Sequence, residues 1–366
     1  MAVDPETIRR MLESGAKAPS GDNLQPWTVA VDEDAIHLSV DRSRDRSLYN
    51  FEGRASLVAL GAMIENLTLA GREYGVGVDT KLSVPENNAD NAADAPPLVS
   101  ARLALRPTEP RPDPLFSAMT RRCTNRKPYG TAPLEAAVTQ KLRASVSGDS
   151  GADLRLIEDR NEMRLVARAA SLNDRLLFEI RTLHDRFFES IRWTLPEAEA
   201  TRDGLYVKTL ELGAMAGPFK ASRSWATVRL TNLLGGSRLA PRHSYQTFMR
   251  SAAFVFLQVS GVSGESWVRG GRLMQRLWLT ATSLGLSAQP MAGMLCLLPY
   301  MRAGGGDVPA RSREVIALAD GLFRKALPLS AGQAPVMLFR VGYGAAPTTT
   351  ALRRVIGAGI GAQVRP

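Results

Sequence analysis

The chain has 366 residues, of which 45% are hydrophobic, 22% charged and 6% aromatic, a composition that excludes a disordered, collagen-like or disulfide-stapled chain. Lysine and arginine number 46 against 36 acids, for a net charge of +10, but 39 of the 46 are arginines spread along the chain. Many alternate with acids, as in DRSRDRS (41–47) and EDRNEMR (158–164), which describes a solvated surface rather than the clustered cations of a nucleic-acid binder.

In chain order, Ile8, Met11, Leu12 and Ala16 form a helical stripe over residues 4–18, ended by Pro19. The polar run 20–26 is a loop, and WTVAVD with AIHLSVD reads as a hairpin turned by DED. Residues 55–74 form a strongly apolar helix stopped by Gly75 and Gly77. Strands follow at 77–84 and 98–105, separated by NNADNAADAPP (87–97), a polar hairpin loop or excursion. The proline-rich TEPRPDP (108–114) marks a boundary, dividing the chain into 1–110 and 111–366.

The second part opens with a short helix (115–121), the run RRCTNRKPYGTAPL and a helix over 134–146. A strand (153–159) precedes one long helix reaching Trp193. Residues 194–247 are broken by Pro196, Pro218, Gly235, Gly236 and Pro241 and read as an irregular insert. A buried strand (252–261), a helix (267–284), a helical or loop region at GLSAQPMAGM and a strand (335–344) complete the fold. The Gly-rich tail beyond Arg354 either wraps a neighbour or frays.

The two parts resemble each other. GAMIENLTLAGREYG (61–75) aligns without gaps to GRLMQRLWLTATSLG (271–285) at an offset of 210, and PLVSARLAL (97–105) to PVMLFRVGY (335–343), with Arg102 matching Arg340. Two matches in the same order point to a tandem duplication.

Chemistry is sparse. Cys123 and Cys296 read as free thiols, and His37, His184 and His243 lie too far apart for a metal motif, so no metal is expected. No GxSxG, GxGxxG or P-loop occurs, and SGAK (14–17) lacks the partners of a nucleophilic motif. The start lacks the apolar run of a signal peptide and no stretch approaches a bilayer span, so the expectation is a cytoplasmic protein with no membrane partner.

Two polar clusters remain. Ser20, Asn23 and Gln25 lie in a loop pinned by Pro19 and Pro26, suited to a polyol or a heteroaromatic edge. Arg121, Arg122 and Arg126, with Thr124, form an anion site if they converge. Each cluster alone is equally a satisfied turn or a solvated charge run.

Together they resemble the FMN-dependent nitroreductase family. APSGDNLQPW resembles its signature loop, RRCTNR its phosphate segment, AQPMAGM the stretch beneath its flavin ring, and RVGYG with Arg353 and Arg354 its closing strand and basic end. The resemblance implies an α+β fold, normally an intertwined homodimer with FMN at the interface. Here the loop occurs only in the first half and the arginines only in the second, as in the single-chain, duplicated branch found in bacteria, actinobacteria among them. Two pseudo-symmetric halves would then imitate the dimer, a monomer would suffice, and one FMN site would form.

By the same resemblance, Arg121, Arg122, Thr124, Arg126, Arg353 and Arg354 would serve the phosphate and ring. Ser20, Asn23 and Gln25 would add polar contacts from the other half. Pro290, Met291 and Gly293 would present backbone to the ring, and His243 and Gln246 would meet its edge. Ala292 stands where many relatives carry an acid, which leaves nicotinamide use open. The flavin carries the chemistry, so no catalytic side chain is implied. The implied activity is an oxidoreductase passing electrons between NAD(P)H and a nitro compound, quinone or enone. The alternatives are a biosynthetic dehydrogenase or oxidase acting on a small or peptide-derived substrate, and an FMN-sequestering protein whose site the insert covers.

Overall fold

A computed structural model of the chain describes residues 3–84, 99–306 and 308–356. The expected hairpin loop at 87–97 and the tail beyond Ile356 lie outside the described residues.

Helix α1 (Pro5–Gly15) starts where Asp4 accepts a hydrogen bond from Thr7 N at 2.9 Å, with Pro5 in its first turn. Strands β1 (Trp27–Val31) and β2 (Ala35–Val40) form the hairpin, α2 (Arg54–Glu73) is the apolar helix, and β3 (Val76–Ser83) and β4 (Ser100–Pro107) complete a first antiparallel sheet of order β1-β2-β4-β3. After α3 (Ala136–Ala144) come β5 (Ala152–Ile157), α4 (Arg160–Leu177), α5 (Arg181–Glu189) and the two-residue strand β6 (Ile191–Arg192). The insert holds α6 (Leu195–Thr201), β7 (Leu205–Tyr206), α7 (Ala216–Ala221), α8 (Trp225–Leu233) and α9 (Ala240–Met249). Then follow β8 (Ala253–Ser260), α10 (Gly264–Ser283), β9 (Ser287–Pro290), α11 (Gly293–Arg302), α12 (Ala310–Ala326) and β10 (Gln333–Gly342). The second sheet has the order β5-β8-β10-β9, and it too is antiparallel.

In chain order the strands of both sheets are arranged first, second, fourth, third, and in both the long helix α2 or α10 stands between the second and third. The two helices cross through reciprocal contacts. A Cβ placed on Gly61 would lie 2.0 Å from Val268 O, and one on Gly271 would lie 2.1 Å from Val58 O. The offset of 210 exchanges these two pairs. It also exchanges Gln275 Nε2 donating to Asn66 Oδ1 (2.7 Å) with Arg276 Nε donating to Glu65 Oε1 (2.9 Å). Such self-complementary pairing is the signature of a two-fold interface, here within one chain.

One core contains residues of α2 and the first sheet together with α10, β8 and β10. A second lies on the other face of the second sheet, where α4, α11 and α12 cover Phe254, Phe256 and Leu338. Seven successive residues of β8 are therefore buried, six of them apolar and the other Gln258.

Three expectations change. The long helix to Trp193 is two helices, because Ile180 is extended (φ −113°, ψ 111°) and the freed Phe178 carbonyl accepts from Asn232 Nδ2 at 2.6 Å. The insert is mostly helical. GLSAQPMAGM is strand β9 leading into α11, a helix that tolerates Pro299.

The crossing yields an expected outcome. Gly61→Ala or Gly271→Ala must push backbone apart, so each should cost at least about 3 kcal/mol, the upper end for overpacking. Gly321→Ala, in α12 with open space at its Cβ position, should instead gain about 0.4–1 kcal/mol. Urea unfolding midpoints read both signs, and a neutral Gly61→Ala would refute the close approach.

Candidate functional site

A cavity of about 900 Å3 lies where loop 19–23 and residues 122–126 meet α4, α9, the start of α11 and residues 349–353. Its first wall is a strained loop. Asp22 (φ 43°), Asn23 (φ 57°) and Gln25 (φ 53°) occupy the left-handed region, at about 1–3 kcal/mol each. Hydrogen bonds hold them there. Ser20 Oγ accepts from Gln25 N (2.9 Å), and Asn23 Nδ2 donates to Gly204 O (3.0 Å) and Leu352 O (2.9 Å). Gln25 Nε2 donates to Arg202 O (2.9 Å), while its Oε1 accepts from Arg354 N (2.9 Å). Gln25 is buried and does not line the cavity; it sews the loop to the insert and to the C-terminal segment. Ser20 and Asn23 do line it, and the buried Asn23 Oδ1 has no hydrogen-bond partner among the described residues.

Beside this loop the cavity wall is cationic. Arg122, Arg126 and Arg353 all line the cavity. Arg122 stacks 4.5 Å from the Trp278 ring and donates to Lys17 O at 2.9 Å. Arg126 donates to Thr209 O at 2.9 Å. The buried Nε of Arg122 and of Arg353 have no hydrogen-bond partner among the described residues. Burial, with the nearby Arg353 charge, pushes the Arg122 guanidinium down to about 9, and burial pushes Arg353 down to about 10. Cations depressed in this way are short of a counter-anion.

A buried arginine positions this wall. Arg340, on the central strand β10, donates from Nη2 to Lys127 O (2.8 Å) and Asn125 O (3.3 Å), and from Nε to Gln289 Oε1 (2.7 Å). It lies 3.9 Å from the centre of the Tyr129 ring. Asn125 Nδ2 donates to Ser287 Oγ (2.9 Å) and Ala345 O (2.8 Å), which fixes residues 122–127 against β9.

Of the remaining residues singled out in the sequence, Thr124, His243, Pro290 and Gly293 line the cavity. Gly293 has Asn173 side-chain atoms 3.0 Å from its Cβ position, so a larger residue there would press on Asn173. Four others stand apart from the cavity. Arg121 and Gln246 are exposed and turn away from it. Met291 is buried in the second core, its N–H bonded to Leu338 O. The Arg354 side chain pairs with Asp203.

Sequence reading missed an acidic arm. Asp22, Asp45 and Asp174 line the cavity with Tyr49, Asn173 and Cys296. Burial, with Asp45 nearby and partly offset by Arg126, raises Asp22 to about 6. Burial raises Asp174 to about 6 against the opposing hydrogen bond from Ser244. Burial raises the Cys296 thiol to about 12, so it is an unreactive neutral group. DRSRDRS looked like a solvated charge run, and no local pattern marks Asp45 as buried. The insert closes the cavity, with Leu205, Thr209, Leu210, Leu212, Pro218 and Phe219 in its wall. No cluster of His, Cys, Asp and Glu that could hold a metal occurs among the described residues.

No family model matches the chain. It is 27% identical over 361 residues to an uncharacterized protein of Mycobacterium tuberculosis, covering 96% of this chain and 48% of that one, so it spans about half of that relative's length. A second protein of that organism, acg, provisionally named an NAD(P)H nitroreductase, is 24% identical over 289 residues, 78% of this chain and 80% of its own. Among solved structures, the FMN-dependent nitroreductase NfnB of Mycobacterium smegmatis in complex with NADPH matches with 12% identity and a TM-score of 0.37, covering 66% of this chain and 93% of that one. A TM-score of that size carries no weight for the chemistry.

The raised Asp174 gives a pH test. A carboxyl that ionises near 6 when folded and near 3.8 when unfolded binds more protons in the folded state between those values. Stability therefore falls as pH rises through that window and stays lower above it. Asp174→Asn should melt higher than the parent at pH 8, with the difference closing towards pH 4. A variant less stable at pH 8 would show the carboxylate to be well solvated.

Proposed function

We propose that this chain is an FMN-dependent oxidoreductase of the nitroreductase type, built as two halves divided near residue 110, with one flavin site between them. The observation that carries the reading is the unpartnered Nε of Arg122 and of Arg353, with Arg126 in the same cavity lining, beside Asn23, whose Oδ1 lacks a donor. Three guanidiniums beside an orphan acceptor suit a phosphate joined to a polyol. The residues present therefore fit FMN. The motifs quoted from the sequence support the same reading, and so does the relative acg by its name and its alignment over 78% of this chain.

When bound, FMN supplies hydride transfer and electron passage between two substrates that use one slot in turn. The protein's part is binding and exclusion of water. Arg122, Arg126 and Arg353 would hold the phosphate, and Asn23 Oδ1 would accept a hydrogen bond from a hydroxyl. Thr124, Pro290 and Gly293 would frame the ring, with His243 at its edge. The proposed electron donor is NAD(P)H and the acceptor a small nitro compound, quinone or enone.

Two outcomes test the site. Released flavin should equal one FMN per chain. Arg122→Ala or Arg353→Ala should weaken FMN binding about ten- to hundredfold, since a charge-assisted hydrogen bond contributes roughly 1.5–3 kcal/mol. Arg44→Ala, which breaks only a pair with Asp41 (2.8 Å), should change little. Equal effects at all three positions would remove the phosphate assignment.

The covering wall favours a second reading, in which nicotinamide is kept out and the protein is a biosynthetic dehydrogenase or an FMN-sequestering protein. Residues 205–222 contribute a whole side of the cavity. Anaerobic NADPH should bleach the flavin under the first reading and leave it yellow under the second. Replacing 203–219 with a Gly/Ser linker should raise the bleaching rate if the segment is a lid. An unchanged rate in a folded, flavin-loaded variant would end the lid idea.

A further inference from the structure

The outer face of the insert is apolar and cationic together. On α8, Val228 is buried and Asn232 is tied to Phe178, while Leu230, Leu233 and Leu234 point the other way, 65%, 82% and 89% exposed. Their i, i+3, i+4 spacing puts them on one face. Leu239, 56% exposed and just after the turn that packs on α8, also lines the cavity, as does Met215, 48% exposed, so the leucine face adjoins the cavity mouth. Soluble surfaces carry single exposed leucines, and a contiguous set marks a contact surface.

The charge along this stretch of chain has one sign, and Arg229 on α8 and Arg238 in the turn after it lie next to the leucines in sequence. From residue 212 to residue 264 the sequence contains no Asp or Glu, yet it contains Lys220, Arg223, Arg229, Arg238, Arg242 and Arg250. All six are exposed, and none forms an ion pair among the described residues. The acids beneath, Glu179 and Asp185, pair with Arg175 and Arg181 instead. The rest of the chain mixes arginines with acids, so this segment departs from the general pattern.

We propose that the outer face of α8 and the adjoining turn is a docking surface for an anionic lipid bilayer, with the three leucines entering the headgroup boundary and the arginines meeting lipid phosphates. Leucines flanked by unpaired cations are the chemistry of an interfacial helix. An apolar protein partner would account for the leucines but leave Arg229 and Arg238 unmatched. No helix among the described residues is long and apolar enough to cross a membrane, and docking requires none. The docked orientation turns the cavity mouth to the lipid, so the acceptor class is one dissolved in the bilayer, such as a long-chain quinone. That last clause rests on the flavin reading, whereas the docking does not.

The full chain should co-sediment with phosphatidylcholine vesicles carrying phosphatidylglycerol and not with neutral ones, and be released by about 0.5 M salt. Leu233→Asp with Leu234→Asp should lower binding about tenfold or more, and both positions are exposed enough to keep the fold. Arg229→Glu with Arg238→Glu should lower it by at least about twenty-five-fold, at roughly fivefold per cation lost. Arg106→Glu with Arg111→Glu makes the same charge change elsewhere and should cost far less. Absent binding, equal binding to neutral vesicles, or equal loss in the Arg106/Arg111 control would overturn the proposal. So would a dimer that the leucine variant dissociates, which would assign the face to self-association. For the acceptor, the leucine variant should slow long-chain quinone reduction in anionic vesicles about tenfold and spare a short-chain quinone in water. Equal effects would overturn that clause alone, and a protein without flavin would instead defeat the functional reading.

Discussion

The close crossing of α2 and α10 is the constraint on which the rest of the molecule depends. Gly61 and Gly271 bring the backbones near enough that no other residue fits at either position. Each helix also carries its own sheet, so the distance between them sets the distance between the sheets. Neither helix could bury its apolar stripe alone. The shared core joins residues of both halves and would be two exposed surfaces without the crossing. Glu65, buried in this contact, is matched by Arg272 and Arg276, so the junction holds no uncompensated charge.

The symmetry of the frame does not extend to its chemistry. Arg102 and Arg340 occupy matching central strands, but Arg102 is exposed and pairs with Asp34 at 2.7 Å, whereas Arg340 is fully buried and bonds to carbonyls beneath residues 125–127. One position has kept a surface ion pair and the other anchors a site wall. Helices α4, α11 and α12 also cover the second sheet, and α4 and α11 close the cavity on one side. The large cavity is therefore asymmetric.

Much of this was legible in the sequence because it is written locally. The stripes of α1, α2 and α10, the β1–β2 hairpin and the strands β3, β4, β5, β8 and β10 follow from periodicity and turn residues. The loop 20–25 and the run 121–126 stood out by composition, and Ser20, Asn23, Arg122, Thr124 and Arg126 do meet at one cavity. Long-range partners were not legible. The break after α4 depends on Asn232, 54 residues away. Gln25 and Arg354 look like ligand-facing residues, yet they bond to each other or to Asp203. Helix α12 has its buried stripe in plain view at Val315, Ile316, Ala319, Leu322 and Phe323, but that signal went unused. Asp45 and Asp174 carry no local mark, since only tertiary packing removes their water.

The proline-rich segment 108–114 is no slack tether. Thr108 N donates to Gly75 O and Arg111 N to Arg72 O, both at 2.8 Å, and Asp113 lies between Arg72 (3.2 Å) and Arg276 (3.6 Å). The connection therefore runs along the end of α2 and reaches α10 by way of Asp113. In a protein assembled from separate copies, the corresponding contact would weaken on dilution. Here the connection fixes the effective concentration of α2 at α10, and that concentration is the same in a scarce protein as in an abundant one.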